Sequence, residues 1–307
     1  MLVADKNGDV YRVKSEVAGD DNVPRLLLGH LSQLLDMTLD HQAERVITAD
    51  RDEKIRVSRY PNSYNIENYC LGHTEFVTTL WLSRVSSDVV ISGSGDGTVR
   101  LWNYKTGEQL LSHDVTEDMT PEDRAAAVTS DNTDDNMETE DDSLARRVSP
   151  PSTPAVVKIR SVKISNCSEM MIVQVENCST LLCYTVMENS RIIFDSRVKP
   201  DSCLLDFDTS DDMRELLILR KTESAASVDT HQILNSTWSK VGHWSLDSQQ
   251  EFFTPIINYE SEGMNHLHKR WFDNVKEYFD RKEARIEKNK NKSKDAAVPE
   301  KKQKCET

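Results

Sequence analysis

The side chains of this 307-residue chain that first suggest chemistry are a histidine, a serine and an aspartate close together in sequence. His73, Ser92 and Asp96 are the residue types of a nucleophilic set, in which a histidine base activates a serine and an aspartate orients the histidine. Such a set is recognised by the geometry and roles of its members, and proximity in sequence does not establish it. The elements that position these residues therefore decide whether they form a nucleophile or a structural network.

The sequence pattern around these residues occurs twice along the chain. The two copies are Gly29-His30 followed by 50–57, and Gly72-His73 followed by 92–102. The Gly-His pairs lie 43 residues apart, and Asp52 and Asp96 lie 44 apart. This period is typical of the WD repeat, whose unit of ~40–45 residues is one four-stranded blade of a β-propeller. The sequence therefore predicts an all-β WD40 propeller, which is a binding scaffold before it is a catalyst.

The second copy carries a complete polar signature of the WD repeat. In such repeats a hydrogen-bonded chain runs from tryptophan through serine and histidine to aspartate, and the matching residues here are His73, Ser92, Asp96 and Trp102. A buried polar chain is tolerated when every member is satisfied, and it then fixes one geometry. Gly95 and Gly97 flank the aspartate, where the turn is expected to need a positive φ. The first copy has Ser58 in place of the tryptophan, so we expect its chain to be incomplete.

Composition indicates a folded protein with polar appendages. Hydrophobic residues make up 37% of the chain and charged residues 29%. No apolar run approaches ~18 residues, and the first ten residues do not resemble a signal peptide, so no transmembrane helix or leader is expected. The six cysteines form no Cys-x-x-Cys pair, which argues against a zinc site or a disulfide framework and favours the nucleus or cytoplasm. No metal cluster, phosphate loop or glycine loop for S-adenosylmethionine is apparent, so catalysis and a bound cofactor are not expected.

Five regions are expected along the chain. They are WD-repeat blades at 1–112, an acidic disordered insertion at 113–154, degenerate blades at 155–262, a helix at 263–290 and a basic disordered tail at 291–307. The chain begins in the late half of a blade, so we expect about four and a half blades of an N-terminally incomplete propeller. The net charge of −14 combines −11 from residues 114–142 with +6 from residues 266–304, so the two appendages have opposite charge.

Periodicity places elements in the regions without a WD signature. Alternating apolar and polar residues predict strands at 156–164, 170–175, 181–186, 203–207, 216–219 and 238–244. Apolar residues at helical spacing predict an amphipathic C-terminal helix; they are Leu267, Trp271, Val275, Tyr278, Phe279 and Ile286. The acidic insertion is either a solvated spacer or a mimic of nucleic acid that binds a basic partner, and its composition favours the spacer.

Four segments of the chain resemble one family of WD proteins. They are 28–36, 47–58, 70–77 and 272–278. An ordinary WD turn reads Asp-Gly-Thr-Val-Arg-Leu-Trp, whereas this chain reads Ala-Asp-Arg-Asp-Glu-Lys-Ile-Arg-Val-Ser from Ala49 to Ser58. These segments are similar to the non-catalytic WD-repeat subunit of the tRNA (guanine-N7)-methyltransferase. The resemblance covers roughly residues 1–112 and 265–290.

The resemblance implies a seven-bladed propeller that binds the catalytic methyltransferase subunit as a heterodimer. That partner would bind S-adenosylmethionine and methylate N7 of a guanine in the tRNA variable loop, and this chain would stabilise it. The residues that match the family's charged contacts with the catalytic subunit are Asp52, Glu53, Lys54 and Arg56. Period-two alternation would place Asp52, Lys54 and Arg56 on one face.

Each of these partner-binding residues also has a simpler interpretation. Arg100 holds the position equivalent to Arg56 in the next repeat, so Arg56 is either a guanidinium satisfied within its blade or a bidentate partner for a carboxylate. Lys54 is either a solvated strand residue or part of the same contact. The family resemblance favours the interface for Arg56.

The predicted C-terminal helix offers a second contact. Its basic residues Lys269, Lys276 and Arg281 are candidates for contact with the tRNA backbone, which would be independent of sequence and sensitive to salt. The simpler alternative is that the aromatic stripe packs on the propeller or on the partner. The segment Lys301-Lys302-Gln303-Lys304 is a weak candidate for nuclear import.

Two other functions remain alternatives at this stage. A substrate receptor of a ubiquitin ligase often ends a blade with Trp-Asp-x-Arg, and Trp102-Asn103-Tyr104-Lys105 does not match that pattern. The insect branch of the family implies a germline role in translational repression, which these residues neither support nor exclude.

Overall fold

The described part of the chain is built almost entirely of β-strands. The computed structural model describes residues 1–5, 7–13, 24–128, 153–210, 215–221, 226–234, 237–246, 264 and 267. They all belong to one compact unit, made of 1–133 and 152–268. A second unit, 134–151 with 269–307, lies outside the described residues.

The strands form five antiparallel sheets in chain order. The first sheet has three strands, β1 (Leu2–Ala4), β2 (Asp9–Arg12) and β3 (Arg25–Gly29). The second sheet has β4 (Leu34–Leu39), β5 (Arg45–Asp50), β6 (Ile55–Arg59) and β7 (Ile66–Cys70). The third sheet has β8 (Val77–Leu82), β9 (Val89–Ser94), β10 (Thr98–Asn103) and β11 (Glu108–Asp114).

The region without a WD signature forms two more four-stranded sheets. The fourth sheet has β12 (Val156–Lys163), β13 (Ser168–Val175), β14 (Leu181–Met187) and β15 (Ile192–Val198). The fifth has β16 (Cys203–Ser210), β17 (Glu215–Lys221), β18 (Ala226–Leu234) and β19 (Thr237–Leu246). The alternation found six of these eight strands and missed β15 and β18. The prediction of an all-β chain of four-stranded blades is confirmed.

The core lies between successive sheets. The first strands of the four-stranded sheets are neighbours, with β4 beside β8, β8 beside β12 and β12 beside β16. Between the second and third sheets, Trp102 and Tyr104 are fully buried with Ile47 and Val57. Burying one large aliphatic side chain contributes roughly 1.5–3 kcal/mol to stability. The sheets are therefore held to one another mainly by apolar packing.

The start of the acidic insertion differs from the sequence prediction. Residues Val115–Asp118 form a 3₁₀ turn and Pro121–Val128 form helix α1, although disorder was expected from residue 113. Val115, Met119 and Ala127 are buried in the apolar cluster shared by the third and fourth sheets. A few well-spaced apolar residues are enough to order this acidic segment, because the gap between two sheets is available to bury them. The remainder of the predicted insertion up to residue 152 lies outside the described residues.

Apart from Met264 and Leu267, the predicted helix at 263–290 and the tail at 291–307 lie outside the described residues. Within the part that is described, no helix has the length and apolar character needed to cross a membrane.

Candidate partner-binding face

One end of the second, third and fourth sheets is closed by the same backbone hydrogen bond. The connector entering the sheet accepts a bond from the turn between its second and third strands: Arg51 N–H to Gln33 O (2.9 Å), Gly95 N–H to Phe76 O (2.9 Å) and Glu176 N–H to Ala155 O (2.8 Å). These bonds make 51–54, 95–97 and 176–180 equivalent turns at one end of neighbouring sheets. We call this end the entry face; it also includes the connectors 30–33, 71–76 and 153–155.

A polar chain reaches the entry face through the third sheet. Trp102 Nε1–H donates to Ser92 Oγ (2.8 Å), Ser92 Oγ lies 2.7 Å from His73 Nε2, and His73 Nδ1 lies 2.9 Å from Asp96 Oδ2. The indole is a donor only, so Ser92 accepts from Trp102 and donates to His73 Nε2. His73 then carries its proton on Nδ1 and donates it to Asp96. Each of the four side chains thus donates a hydrogen bond to the next, from Trp102 to Asp96.

Burial sets the ionisation of this chain. Burial lowers the pKa of His73, with partial compensation from Asp96, so the ring is neutral as the donor order requires. Burial would raise the pKa of Asp96, but hydrogen bonds from His73, Thr98 and the Thr74 N–H outweigh it and hold that pKa far below its usual range.

The geometry assigns this set to structure and not to nucleophilic catalysis. Ser92 is 0% exposed, so no substrate carbonyl reaches its hydroxyl. Its proton and its acceptor capacity are already used by His73 and Trp102. Within the described residues no group of three or more His, Cys, Asp or Glu side chains is arranged to hold a metal ion.

In the second sheet the histidine meets Asp50, two residues before the aspartate that aligns with Asp96. His30 Nδ1 lies 3.1 Å from Asp50 Oδ2 and His30 Nε2 lies 2.8 Å from Thr48 Oγ1, while Asp52 is exposed. The 44-residue spacing aligns Asp52 with Asp96, but the carboxylate that meets the histidine comes from the end of β5. Asp50 Oδ1 also accepts the N–H groups of Asp52 and Lys54 (3.0 and 3.1 Å) and so shapes the turn.

The turn at 51–54 places a charged residue where the third sheet has glycine. Glu53 has φ 70°, and Gly97 at the equivalent position has φ 75°. A left-handed conformation suits glycine but costs other residues about 1 kcal/mol or more. Gly95 does not have the positive φ that was predicted for it. Glycine is needed there because a Cβ would lie 2.5 Å from Cε1 of the Phe76 ring.

Arg56 is held by neutral oxygens of two sheets. Its Nε–H donates to Ser58 Oγ (2.9 Å), Nη1 to Gly29 O (3.0 Å) and Nη2 to Ser63 O (3.2 Å). Burial lowers the pKa of Arg56, but a guanidinium keeps its proton. Its charge is therefore stabilised by dipoles and not cancelled by the oxygens that hold it.

Arg100, at the equivalent position of the third sheet, is held differently. It donates to Thr98 Oγ1 (3.1 Å) and Gln109 Oε1 (2.8 Å), and its Nη2 lies 3.4 Å from Asp96 Oδ2. The carboxylate of the polar chain thus compensates the charge of Arg100.

The predicted partner-binding residues do not all lie on a strand. Asp52 and Lys54 are exposed in the turn and Glu53 is half-buried, whereas Arg56 is half-buried one residue into β6. Period-two alternation applies to strands, and β6 begins at Ile55, so a common face for Asp52, Lys54 and Arg56 stays a prediction. The four residues nevertheless lie within one turn and the start of one strand. The candidate tRNA contacts Lys269, Lys276 and Arg281 lie outside the described residues.

Comparison with known proteins adds a family to this geometry. A family model described as the tRNA methyltransferase TRM82 WD40 domain matches residues 14–241. A zebrafish (Danio rerio) protein named tRNA (guanine-N(7)-)-methyltransferase non-catalytic subunit wdr4 is 33% identical over 100% of this chain and 70% of its own length. A mouse (Mus musculus) protein with the corresponding name is 50% identical over 38% of this chain and 27% of its own length.

A solved structure supports the fold alone. A chain in the crystal structure of the mitotic checkpoint complex superposes with a TM-score of 0.51 and 11% identity, covering 78% of this chain and 59% of that chain. At this identity the likeness concerns architecture.

Proposed function

Because the chain belongs to the tRNA methyltransferase TRM82 WD40 family, we propose that it is the non-catalytic subunit of a tRNA (guanine-N7)-methyltransferase complex. The observation that carries the proposal is the family match over 14–241, together with a relative aligned over the whole chain. In this role the chain binds and stabilises a catalytic subunit as a heterodimer. That subunit binds S-adenosylmethionine and forms N7-methylguanine in the tRNA variable loop, and this chain needs no cofactor.

We further propose that the catalytic subunit binds the entry face at the turn 51–54 and at Arg56. Asp52 and Lys54 are exposed there with opposite charges, which suits complementary charge pairing with a partner. Arg56 adds a guanidinium whose charge its own hydrogen bonds leave in place, and a partner carboxylate would compensate it. This supports a role that combines both interpretations of Arg56, since it stabilises its blade and also faces the partner.

Contact with tRNA belongs to the complex in this proposal. Residues 266–304 carry a net charge of +6, and Lys269, Lys276 and Arg281 are the proposed contacts with tRNA phosphates. Phosphate contacts release counterions, so binding should weaken steeply as salt rises. Replacing the three residues by glutamine should reduce the salt dependence of tRNA binding without changing the affinity for the catalytic subunit.

The experiment that tests the function is depletion of this protein from cells followed by rescue. We expect depletion to lower N7-methylguanine in tRNA, and purification of the rescuing chain to recover a methyltransferase. Lys54→Glu should rescue poorly, while Lys105→Glu, a charge reversal in the turn that follows β10 at the other end of its sheet, should rescue fully. Unchanged N7-methylguanine after depletion would refute the proposal.

A further inference from the structure

A leucine from the C-terminal region of the chain packs on the entry face. Leu267 is 6% exposed and packs in an apolar cluster with the buried residues Phe76 and Ala155 and the partly buried Leu35. These three residues come from the entries to the third, fourth and second sheets. One side chain beyond the last described strand thus belongs to an apolar cluster that joins residues of three neighbouring sheets.

Polar contacts hold the backbone groups of Met264 and Leu267. Arg51 Nε–H donates to Leu267 O (3.2 Å), and the Met264 N–H donates to Glu176 Oε1 (2.6 Å). Leu267 N–H closes the segment by donating to Met264 O (2.8 Å). We call Met264 and Leu267 the C-terminal anchor.

The anchor uses equivalent positions of successive sheets. Arg51, Gly95 and Glu176 each donate the backbone bond that defines the entry face of their sheet. Arg51 and Glu176 bind the anchor through their side chains, and Gly95 makes room for the Phe76 ring on which Leu267 packs. Three residues of different types, at the same structural position in successive sheets, therefore all contribute to binding the anchor. The folding of each sheet by itself does not require these residue types.

We propose that the C-terminal anchor positions the turn 51–54 for the catalytic subunit. Arg51 begins that turn, and its side chain binds the Leu267 carbonyl. Seating of Leu267 among Phe76, Ala155 and Leu35 holds this carbonyl in place, so the apolar contact and the hydrogen bond act together. Leu267 is a positioning residue, and the inference rests on the proposed function for its role in binding.

The role of the anchor in ordering the turn is independent of any partner. The amides of Asp52 and Lys54 are bonded to Asp50, and their protection from hydrogen exchange reports on the geometry of the turn. Loss of the anchor should expose them, while the polar chain of the third sheet keeps the equivalent turn 95–97 in place.

The test uses the full chain with its catalytic subunit and compares Leu267→Asp with Leu110→Asp, the same change at an exposed site on β11. We expect Leu267→Asp to raise hydrogen exchange in the turn 51–54 about tenfold and to weaken binding of the catalytic subunit about tenfold. Leu267→Met should keep both the exchange rate and the affinity at wild-type values. Leu110→Asp should change neither quantity. Unchanged exchange in Leu267→Asp would overturn the inference.

A second variant keeps the test decisive if Leu267→Asp fails to fold. Arg51→Gln leaves the apolar contact intact and removes the guanidinium that binds the Leu267 carbonyl. It should raise exchange in the turn 51–54 and not in 95–97, and equal exchange to the wild type would overturn the inference. If the wild-type chain fails to bind the catalytic subunit, the proposed function fails while the exchange measurement still decides the role of the anchor.

Discussion

In the third sheet an indole donor completes the polar chain, whereas in the second sheet Ser58 stands at that position and binds a guanidinium. Trp102 keeps the network of the third sheet internal, and the charge of Arg100 is compensated by Asp96. Arg56 instead reaches Gly29 at the end of the first sheet and retains a charge that no acceptor of its own cancels. The polar groups of the third sheet bind one another and stabilise that sheet. The second sheet leaves charged groups exposed at the entry face.

The two turns extend the contrast. In the third sheet Gly97 adopts the positive φ without strain, and Asp96 meets the histidine. In the second sheet Glu53 adopts it, and Asp50 takes over the histidine so that Asp52 is exposed. The strained Glu53 and the exposed Asp52 thus lie in the same turn. Strained residues are common at binding sites.

The largest expected difference between the sheets follows from removing the residue at the tryptophan position. Trp102→Ala should destabilise the protein by ~3–5 kcal/mol, because it opens a cavity and leaves Ser92 without its donor. Ser58→Ala at the equivalent position should cost about 1 kcal/mol, the size of one hydrogen bond. Urea unfolding of both variants measures the difference, and equal losses would show that the indole is not the dominant support.

A smaller effect concerns pH and the histidine of the third sheet. Burial lowers the pKa of His73, so the unfolded chain takes up its proton at a higher pH than the folded chain. Stability should therefore be full above about pH 6.5 and should fall by up to ~1.4 kcal/mol per pH unit below it. The lowered pKa of Asp96 adds a further loss below about pH 4.

His73→Gln separates this contribution from the others. His231, whose pKa is also lowered by burial, should keep part of the acid sensitivity, so the prediction concerns the difference between variant and wild type. Unfolding free energies at pH 7 and pH 5 should converge between the two proteins as the pH falls. A constant difference between them would contradict the assignment of a neutral His73.

The smallest expected effect concerns the left-handed turn position. Glu53→Gly should stabilise the chain by about 0.5–1 kcal/mol by removing strain, whereas Gly97→Ala should destabilise it by roughly 1–2 kcal/mol. If Glu53 serves the interface, the stabilised variant should bind the catalytic subunit more weakly. Thermal unfolding and a binding titration on the same samples check both parts, and destabilisation by Glu53→Gly would show that contacts of Glu53 outweigh its strain.

The sequence predicted the parts of this structure that repeat. The spacing of His73, Ser92, Asp96 and Trp102 placed them in one repeat, because a strand–turn–strand unit fixes such distances. Asp50 escaped the prediction because counting aligned Asp52 with Asp96, and the choice of carboxylate depends on where β5 ends. Two of the three acceptors of Arg56 are the backbone carbonyls of Gly29 and Ser63, which leave no trace in residue types.

Long-range contacts set the limit of the sequence prediction. Leu267 was placed on the apolar stripe of a helix, and nothing local indicates that its partners are Phe76, Ala155 and Leu35. Similarly, Val115 and Met119 sit in an acidic run that composition assigns to disorder, yet they are buried between two sheets. In both cases the side chains are buried by elements that are distant in sequence.

In the proposed complex the second sheet presents its charged turn to a catalytic subunit. The most direct measurement is a titration of the purified catalytic subunit with Arg56→Glu and with Arg59→Glu, a control on the same strand whose side chain is 61% exposed. We expect Arg56→Glu to weaken binding at least a hundredfold, through loss of a charge pair and a new repulsion, and Arg59→Glu to bind like the wild type. Wild-type affinity of a folded Arg56→Glu chain would show that the catalytic subunit does not bind at Arg56.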